Sequence, residues 1–365
     1  MGRGDDVRDE QALGISGKEA RALDSGAAPS KPKANWKTWI GALLGLVVLG
    51  LAAWGLKKIS GQVTLADVMA EIHATPTHLI VAAAVSTFLS YVVLVGYDWF
   101  AVRHLGYNHI RWPTLAAASF SSFTMSHTLG LTVLTGGTVR YRIYTREGVS
   151  PVDIAMIILL CGWTFWLGII FVAGIGLIVS PDLAEPIREW VPPQLEEWTG
   201  VLLLAGVVLY TALATFWRGD FRIWRYRFAL PTGRETLQQI AIGTLDLALA
   251  GGALYILLTP VAGIPDLLTF LVIYAVAMVT GALAHAPGGL GVFELVIVGL
   301  MPDADKAGVL AAVALFRLLY TFIPFVLGAT VIAVLELRAL RAARAAALQT
   351  AADQAAAPAL SANSR

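Results

Sequence analysis

Two apolar stretches, one in each half of the chain, decide how this sequence is interpreted. They are SFTMSHTLGLTVLTGGTVRYRIY, residues 122–144, and ALAHAPGGLGVFELVIVGL, residues 282–300. Both are too long and too apolar to be surface loops, yet glycines interrupt each of them where a membrane-spanning helix should continue. Paired interruptions of this kind in the two halves of a lipid-embedded chain indicate a substrate pathway.

The rest of the chain has the composition of an α-helical membrane protein. Of its 365 residues, 57% are hydrophobic and 14% are charged, whereas ordinary soluble domains have about 25% charged residues. Six apolar segments reach or approach the ~20 residues that cross the hydrocarbon core. These segments are residues 39–56, 78–100, 152–179, 199–217, 238–259 and 307–335. We therefore predict an all-α polytopic integral membrane protein with about six full spans.

The distribution of charge predicts how the spans are oriented. Lysines precede the first span and arginines crowd the loop 218–234, whereas the loop 181–198 is acidic. Basic loops remain on the cytoplasmic side, so both termini should be cytoplasmic, in a bacterial plasma (inner) membrane. We expect residues 1–36 to be a disordered tail and residues 341–365 to be a cytoplasmic tail.

The same charges predict an unusual course for the two interrupted stretches. The loops alternate correctly only if residues 113–145 and 267–301 each form a re-entrant helical hairpin, and the two hairpins start from opposite faces. Each half, residues 37–180 and 199–340, then contains the same elements in inverted orientation. Such an inverted repeat is the architecture of many transporters.

Ionisable residues inside the apolar segments need an explanation. At the centre of a membrane helix each costs about 2.5 kcal/mol or more on insertion scales. They can line a polar cavity that holds a headgroup, or they can form structural ion pairs, for example Arg317 with Glu294 or Asp246. The sequence leaves both interpretations open.

The interrupted stretches supply the remaining candidate residues. We place the two interruptions at Gly136–Gly137 and at Gly288–Gly289. Glycines there allow backbone amides to approach a ligand, and a helix that starts after Pro287 would offer free amides to a phosphate. Close helix packing is the other explanation for the glycines. Arg140 and Arg142 are the predicted phosphate ligands. The full predicted substrate-binding set is Asp98, His127, Gly136, Gly137, Arg140, Arg142, Asp246, His285, Gly288, Gly289, Glu294 and Arg317.

The chain lacks the sequence motifs of several enzyme classes. It contains no Walker loop, GxSxG elbow, HExxH or clustered CxxC. The single cysteine excludes an intrachain disulfide, and two isolated histidines are a poor basis for a metal site. We predict no catalytic residue, no metal, no cofactor and no nucleic-acid partner.

Three motifs resemble those of the lysylphosphatidylglycerol synthase transmembrane-region family. TGGTVRYRIY at 135–144 is similar to its TGG-x-x-R-x-R-x-Y element, PGGLGVFE at 287–294 to PGG-x-G-x-x-E, and FRLLYTFIP at 316–324 to R-x-x-Y-x-x-x-P. The resemblance covers about residues 35–340. The family includes the flippase domain of the multiple peptide resistance factor and stand-alone relatives. His127 departs from the amide residue expected in many members.

This resemblance implies a role in handling lipids. In bifunctional members these helices translocate an aminoacylated phosphatidylglycerol, which a separate aminoacyl-transferase domain makes. The chain ends soon after its last predicted helix, so we expect only the lipid-translocating part, with transport that is downhill or ion-coupled. The predicted partner is an anionic or aminoacylated phospholipid. A separately encoded lipid-synthesis enzyme and a second copy of the chain remain open as further partners.

Two alternative functions also remain open. One is a membrane enzyme that acts on a lipid, with Glu294 or Asp98 as general base. The other is an accessory membrane partner of a lipid or hopanoid pathway.

Overall fold

The computed structural model describes residues 64–130, 132–179, 193–216, 220–223, 226–284 and 287–362. The predicted tail 1–36, the predicted span 39–56 and most of the predicted acidic loop lie outside these residues. The predicted division of the chain into two halves and their inverted relation stay predictions.

The described residues form helices, with one short β-ribbon in the basic loop. The helices are α1 Leu65–Ala74, α2 Thr77–His104, α3 Trp112–Leu129, α4 Thr132–Tyr144, α5 Pro151–Val179, α6 Pro193–Phe216, α7 Gly233–Leu258, α8 Leu267–Leu283, α9 Val292–Gly299, α10 Lys306–Phe316 and α11 Ile323–Ala362. A π-helical turn, Arg317–Phe322, joins α10 to α11, and short 3₁₀ turns occupy Thr145–Glu147 and Pro287–Gly289. Strands β1 Asp220–Ile223 and β2 Tyr226–Ala229 pair antiparallel, with Asp220 opposite Ala229.

Five stretches of the described chain are long and apolar enough to cross a membrane. They are α2, α5, residues 197–216 of α6, α7, and the continuous rod formed by α10, the π-helical turn and α11 as far as Arg341. These correspond to five of the six predicted spans and confirm the helical membrane fold. The total number of spans stays a prediction.

Small residues allow the central helices to approach closely. A Cβ added to Gly243 in α7 would lie 3.0 Å from the Cα atom of Gly168 in α5. Without a hydrophobic drive between helices in lipid, such backbone contacts supply much of the packing energy. Aromatic rings fill the space beside them: the ring of Tyr274 lies 5.7 Å from Phe293 and 6.2 Å from Phe316.

The two interrupted stretches fold as helical hairpins. In the first, α3 packs against α4, and Phe123 lies across from Arg140. In the second, α8 packs against α9, and a Cβ on Gly281 would lie 3.5 Å from the Cα atom of Gly289. Both hairpins lie in the ranges predicted for them. Their re-entrant course through the membrane stays a prediction.

The predicted position of the first interruption is wrong. Gly136 and Gly137 lie inside α4, and the chain reverses instead at Gly130, whose φ of 69° ends α3. The two glycines serve close packing, the other explanation considered for them. A Cβ on Gly136 would lie 2.9 Å from the carbonyl oxygen of Ser122 in α3, and one on Gly137 would lie 3.1 Å from Ile158 in α5.

Asp266 is the N-cap residue of α8, and substituting it tests whether this cap stabilises the helix. Its Oδ1 atom accepts hydrogen bonds from the backbone N–H groups of Leu268, at 2.9 Å, and Thr269, at 3.2 Å. The hydrogen bond from the Thr269 hydroxyl is the main cause that lowers the pKa of Asp266 below its usual value. A lowered pKa in the folded state means that the stabilisation is present above the unfolded pKa and is lost as the pH falls through the folded pKa.

We expect Asp266→Ala to lower the free energy of unfolding by about 1 kcal/mol, because an N-cap is lost. Asp266→Asn should keep most of the cap and remove this part of the acid sensitivity. Thermal unfolding of the purified protein at neutral and acidic pH measures both effects. Asp303→Ala, at an exposed acid of a neighbouring loop, is the control. Equal losses in the two alanine variants would contradict the assigned cap.

Candidate functional site

A buried ion pair connects the first hairpin to α2. The guanidinium of Arg140, in α4, donates from Nη2 to Asp98 Oδ1 at 2.7 Å and from Nε to the same atom at 3.0 Å. Arg140 is 1% exposed and Asp98 is 0% exposed. The two charges therefore compensate each other away from both lipid and water, where an unpaired charge would be very costly.

Further contacts complete the coordination of the Asp98 carboxylate. The Tyr144 hydroxyl donates to Oδ2 at 2.7 Å, and the Cys161 thiol in α5 donates to Oδ1 at 3.2 Å. The Arg140 guanidinium also lies 4.8 Å from the centre of the Phe123 ring. Two of the three guanidinium nitrogens of Arg140 are thus bound to Asp98 in a buried site. The geometry therefore favours a structural ion pair over a direct phosphate ligand for these two residues.

A second ion pair holds the loop of the second hairpin. Arg317, in the π-helical turn, donates from Nε to Glu294 Oε1 at 2.8 Å. Its two terminal nitrogens donate to the backbone carbonyls of Gly288 and, at 3.5 Å, Gly289. The pairing of Arg317 with Glu294 was one of the two predicted alternatives, and the structure contains it.

Glu294 also occupies the start of α9. Its Oε2 atom accepts the N–H of Gly291 at 2.7 Å. The helix start predicted to offer free amides to a phosphate is thus capped, at its first amide, by a carboxylate of the chain itself.

Asp246, in α7, has a different environment from the other intramembrane acids. Its carboxylate accepts hydrogen bonds from the Ser90 hydroxyl at 2.7 Å and the Tyr97 hydroxyl at 3.1 Å. Ser90 Oγ lies 3.0 Å from the Tyr320 hydroxyl. Within the described ranges no Lys, Arg or His side chain forms an ion pair with Asp246. It is therefore a buried carboxylate that accepts its hydrogen bonds from neutral hydroxyl groups.

His127 lies at the end of α3, beside this hydroxyl network. Its ring centre is 5.6 Å from that of Tyr320 and 6.2 Å from that of Tyr91. Its Nδ1 atom is buried, and none of the described residues provides it with a hydrogen-bond partner. Buried polar atoms are nearly always paired, so this nitrogen is a candidate contact for a bound group. His285, the predicted counterpart of His127, lies outside the described residues.

The two hairpins meet at their interruptions. Gly288 adopts a φ of 60°, and a Cβ on it would lie 3.1 Å from the carbonyl oxygens of His127 and Thr128. A methyl group there would be strained by the backbone conformation and would press on α3. The sequence pattern, one interruption in each half, thus corresponds to a contact between the two halves in space.

Arg142 is the predicted phosphate ligand that remains accessible. Its side chain is 61% exposed, and its Nη1 atom lies 3.5 Å from Glu336 Oε1. Arg146, which is not among the predicted site residues, is 45% exposed and lies 3.0 Å from the same oxygen. Exposed pairs of this kind contribute little to stability, so both guanidinium groups can exchange partners.

Several polar residues of the site were missed in the sequence. Tyr144 and Tyr320 lie inside the quoted motifs, but the predicted set took only glycines and arginines from those two motifs. Ser90 and Tyr97 are seven residues apart in α2, which places them on one helix face, and this spacing could have revealed them as partners of a buried acid. Cys161 carried no such signal.

The fold and these clusters define the chain as a polytopic helical membrane protein with charged pairs at two helical hairpins. Residues 38–328 match the family described as the lysylphosphatidylglycerol synthase TM region, and the chain belongs to this family. The matched range contains all three motifs quoted above, so the resemblance seen in the sequence is confirmed.

Two relatives illustrate how far the similarity extends. The chain is 31% identical over 286 residues to the uncharacterized protein slr0712 of Synechocystis sp., an alignment that covers 78% of this chain and 87% of the relative. It is 27% identical over 324 residues to the inner membrane protein YbhN of Escherichia coli strain K12, covering 85% of this chain and 96% of the relative. Both alignments include most of each protein.

We expect Arg140→Gln to lower the free energy of unfolding by about 3–5 kcal/mol, because it leaves the Asp98 carboxylate buried without a cation. Arg142→Gln, only two residues away but exposed, should cost less than about 1 kcal/mol. Thermal or denaturant unfolding in detergent compares the two. The double variant Asp98→Asn with Arg140→Gln should recover part of the loss, since no charge is then left unpaired. Equal effects of the two single variants would contradict a structural pair.

Proposed function

We propose that this protein moves a phospholipid between the leaflets of a bacterial inner membrane. The observation that carries the proposal is the contact of the two hairpins at Gly288, His127 and Thr128. Membership of a family named for a phospholipid synthase supports a lipid substrate. The relative named as an inner membrane protein supports the location.

The two ion pairs explain how the hairpins could move without exposing charge to lipid. Arg140 and Asp98 hold the first hairpin to α2, and Arg317 and Glu294 hold the loop of the second hairpin to the last membrane rod. Each pair belongs to one side of the contact between the hairpins. Neither charge pair crosses that contact, so relative movement of the hairpins there need not break either pair.

Polar groups near the contact can receive a headgroup. The Nδ1 atom of His127 has no partner in the described part of the chain, and Asp246 has no cation there. In this proposal Asp246 balances a cationic headgroup or carries a proton, and Arg142 binds the phosphate near the surface. Of the two arginines predicted to bind the phosphate, this proposal keeps Arg142, because Arg140 is buried and paired with Asp98.

Reconstitution tests the proposal directly. The purified protein is placed in vesicles with headgroup-labelled phosphatidylglycerol, and the outer leaflet is bleached by an impermeant reductant. We expect the protein to expose the inner-leaflet label to the reductant. Gly288→Ala should slow this exposure by about tenfold, because a methyl at positive φ biases the hairpins by about 1–2 kcal/mol.

Gly299→Ala is the matched control for this variant, since a Cβ at Gly299 meets nothing within 4 Å. Equal rates for the two alanine variants would show that transport does not depend on the hairpin contact. Lipid analysis of the same vesicles separates the alternatives. New lipid species would indicate an enzyme, and an inactive protein that co-purifies with a lipid-synthesis enzyme would indicate an accessory partner.

Asp246→Asn distinguishes the charge of Asp246 from its hydrogen bonds. The amide oxygen can still accept from Ser90, but the negative charge is gone. We expect this variant to slow translocation of a cationic aminoacylated lipid more than that of phosphatidylglycerol. Ser90→Ala, which removes the hydroxyl contacts to Asp246 and Tyr320 and leaves the charge of Asp246, should slow both lipids alike. The same response from the two variants would argue against charge balancing.

A further inference from the structure

A groove runs between α4 and the last helix, away from the buried ion pairs. Its volume is about 300 Å³, at the lower end of the range for small-molecule sites. One end is apolar and the other is charged. The residues that define the two ends are Leu129, Leu134, Ile332, Arg142, Arg146 and Glu336.

The change from apolar to basic follows the period of the helix. Leu134, Thr138, Arg142 and Arg146 are spaced by four residues, so they form one stripe along α4 and the turn after it. Leu134 is 65% exposed. An exposed apolar stripe that ends in two arginines matches a molecule with an acyl chain at one end and an anionic group at the other.

The charged end already contains the geometry of an anion site. The guanidinium groups of Arg142 and Arg146 converge on a single oxygen, Oε1 of Glu336, at 3.5 and 3.0 Å. Arginine is suited to bind phosphate oxygens through its planar set of donors. With two arginines against one glutamate, these three groups carry a net positive charge. Glu336 therefore occupies the position that a phosphate oxygen would take.

The apolar end leads toward the contact between the hairpins. Leu129 is the last residue of α3, and its neighbour Thr128 touches the loop of the second hairpin at Gly288. Arg140 cannot serve this groove, because it faces inward and is bound to Asp98. The lining of the groove thus extends from the basic surface to Leu129, the residue that follows Thr128 in the chain.

We propose that this groove binds one anionic phospholipid. The phosphate lies between Arg142 and Arg146 and displaces Glu336, and one acyl chain follows Leu134 and Ile332 toward the hairpin contact. The basic loops predict that the lipid comes from the cytoplasmic leaflet. The inference deepens the proposed function and rests on it for its purpose, but binding can be measured in a protein that does not move lipid.

Native mass spectrometry of the full chain, with phosphatidylglycerol and phosphatidylcholine in equal amounts, measures the selectivity. We expect wild type to retain phosphatidylglycerol preferentially. Arg142→Gln with Arg146→Gln should reduce that preference by about tenfold or more, since each arginine near a membrane surface contributes about 1 kcal/mol. Arg338 and Arg341 are two exposed cations of α11 that do not line the groove. Arg338→Gln with Arg341→Gln should therefore leave the preference for phosphatidylglycerol unchanged.

Glu336→Gln is the sharpest arm of this experiment. Removing the competing carboxylate should raise the preference for phosphatidylglycerol severalfold, whereas loss of a merely structural contact would lower it or leave it unchanged. Either of these latter results overturns the proposal, and so does an equal loss in the control pair of arginines. Binding of the chain-free headgroup, glycerophosphoglycerol, as tightly as the lipid would also overturn it, because the occupant would then be a soluble anion.

The outcomes separate the groove from the translocation activity. If the arginine variants lose phosphatidylglycerol but wild-type protein moves no lipid in vesicles, lipid binding in the groove is supported and the proposed function is contradicted. If wild type moves lipid and the arginine variants bind phosphatidylglycerol as wild type does, the groove fails and the proposed function stands.

Discussion

The buried ion pair of Arg140 with Asp98 holds the first hairpin in position. Two short arms, α3 and α4, form the first hairpin, and the pair fixes them to α2 while Tyr144 and Cys161 complete the contacts of the carboxylate. In a low-dielectric interior neither charge can be left without the other. The pair therefore determines where the tip of the hairpin lies and which side of α4 faces outward.

The second hairpin uses the same chemistry with the roles exchanged. Here the hairpin carries the acid, Glu294, and the following membrane rod carries the arginine, Arg317. Arg317 and Tyr320 lie in one π-helical turn, and Tyr320 reaches Ser90 and through it Asp246. Single π-helical turns occur frequently at functional sites. This turn connects the loop of the second hairpin to the uncompensated carboxylate.

The polar and charged residues of the site form two groups, which differ in whether a partner within the protein neutralises them. Asp98, Arg140, Glu294 and Arg317 neutralise each other and hold the helices in place. Asp246 and His127 are buried polar groups whose charge or hydrogen-bonding capacity is not satisfied within the described residues, and Arg142 and Arg146 are accessible at the surface. The groups of the second kind are the ones left for contact with a bound molecule, and those of the first kind hold the helices around them.

The amino-acid sequence was sufficient to predict the helical membrane fold and the family. These follow from the length of apolar runs and from local motifs, which are properties of neighbouring residues. It also identified Arg317 and Glu294 as one alternative pair. It could not decide which arginine of the R-x-R motif is buried, because a step of two residues turns a helix by about 200° and only packing selects the inner face. Nor could it decide that Gly130 reverses the chain while Gly136 and Gly137 lie inside α4. Glycine is suited both to a turn and to close packing, and only the tertiary contacts with Ser122 and Ile158 show which of these applies.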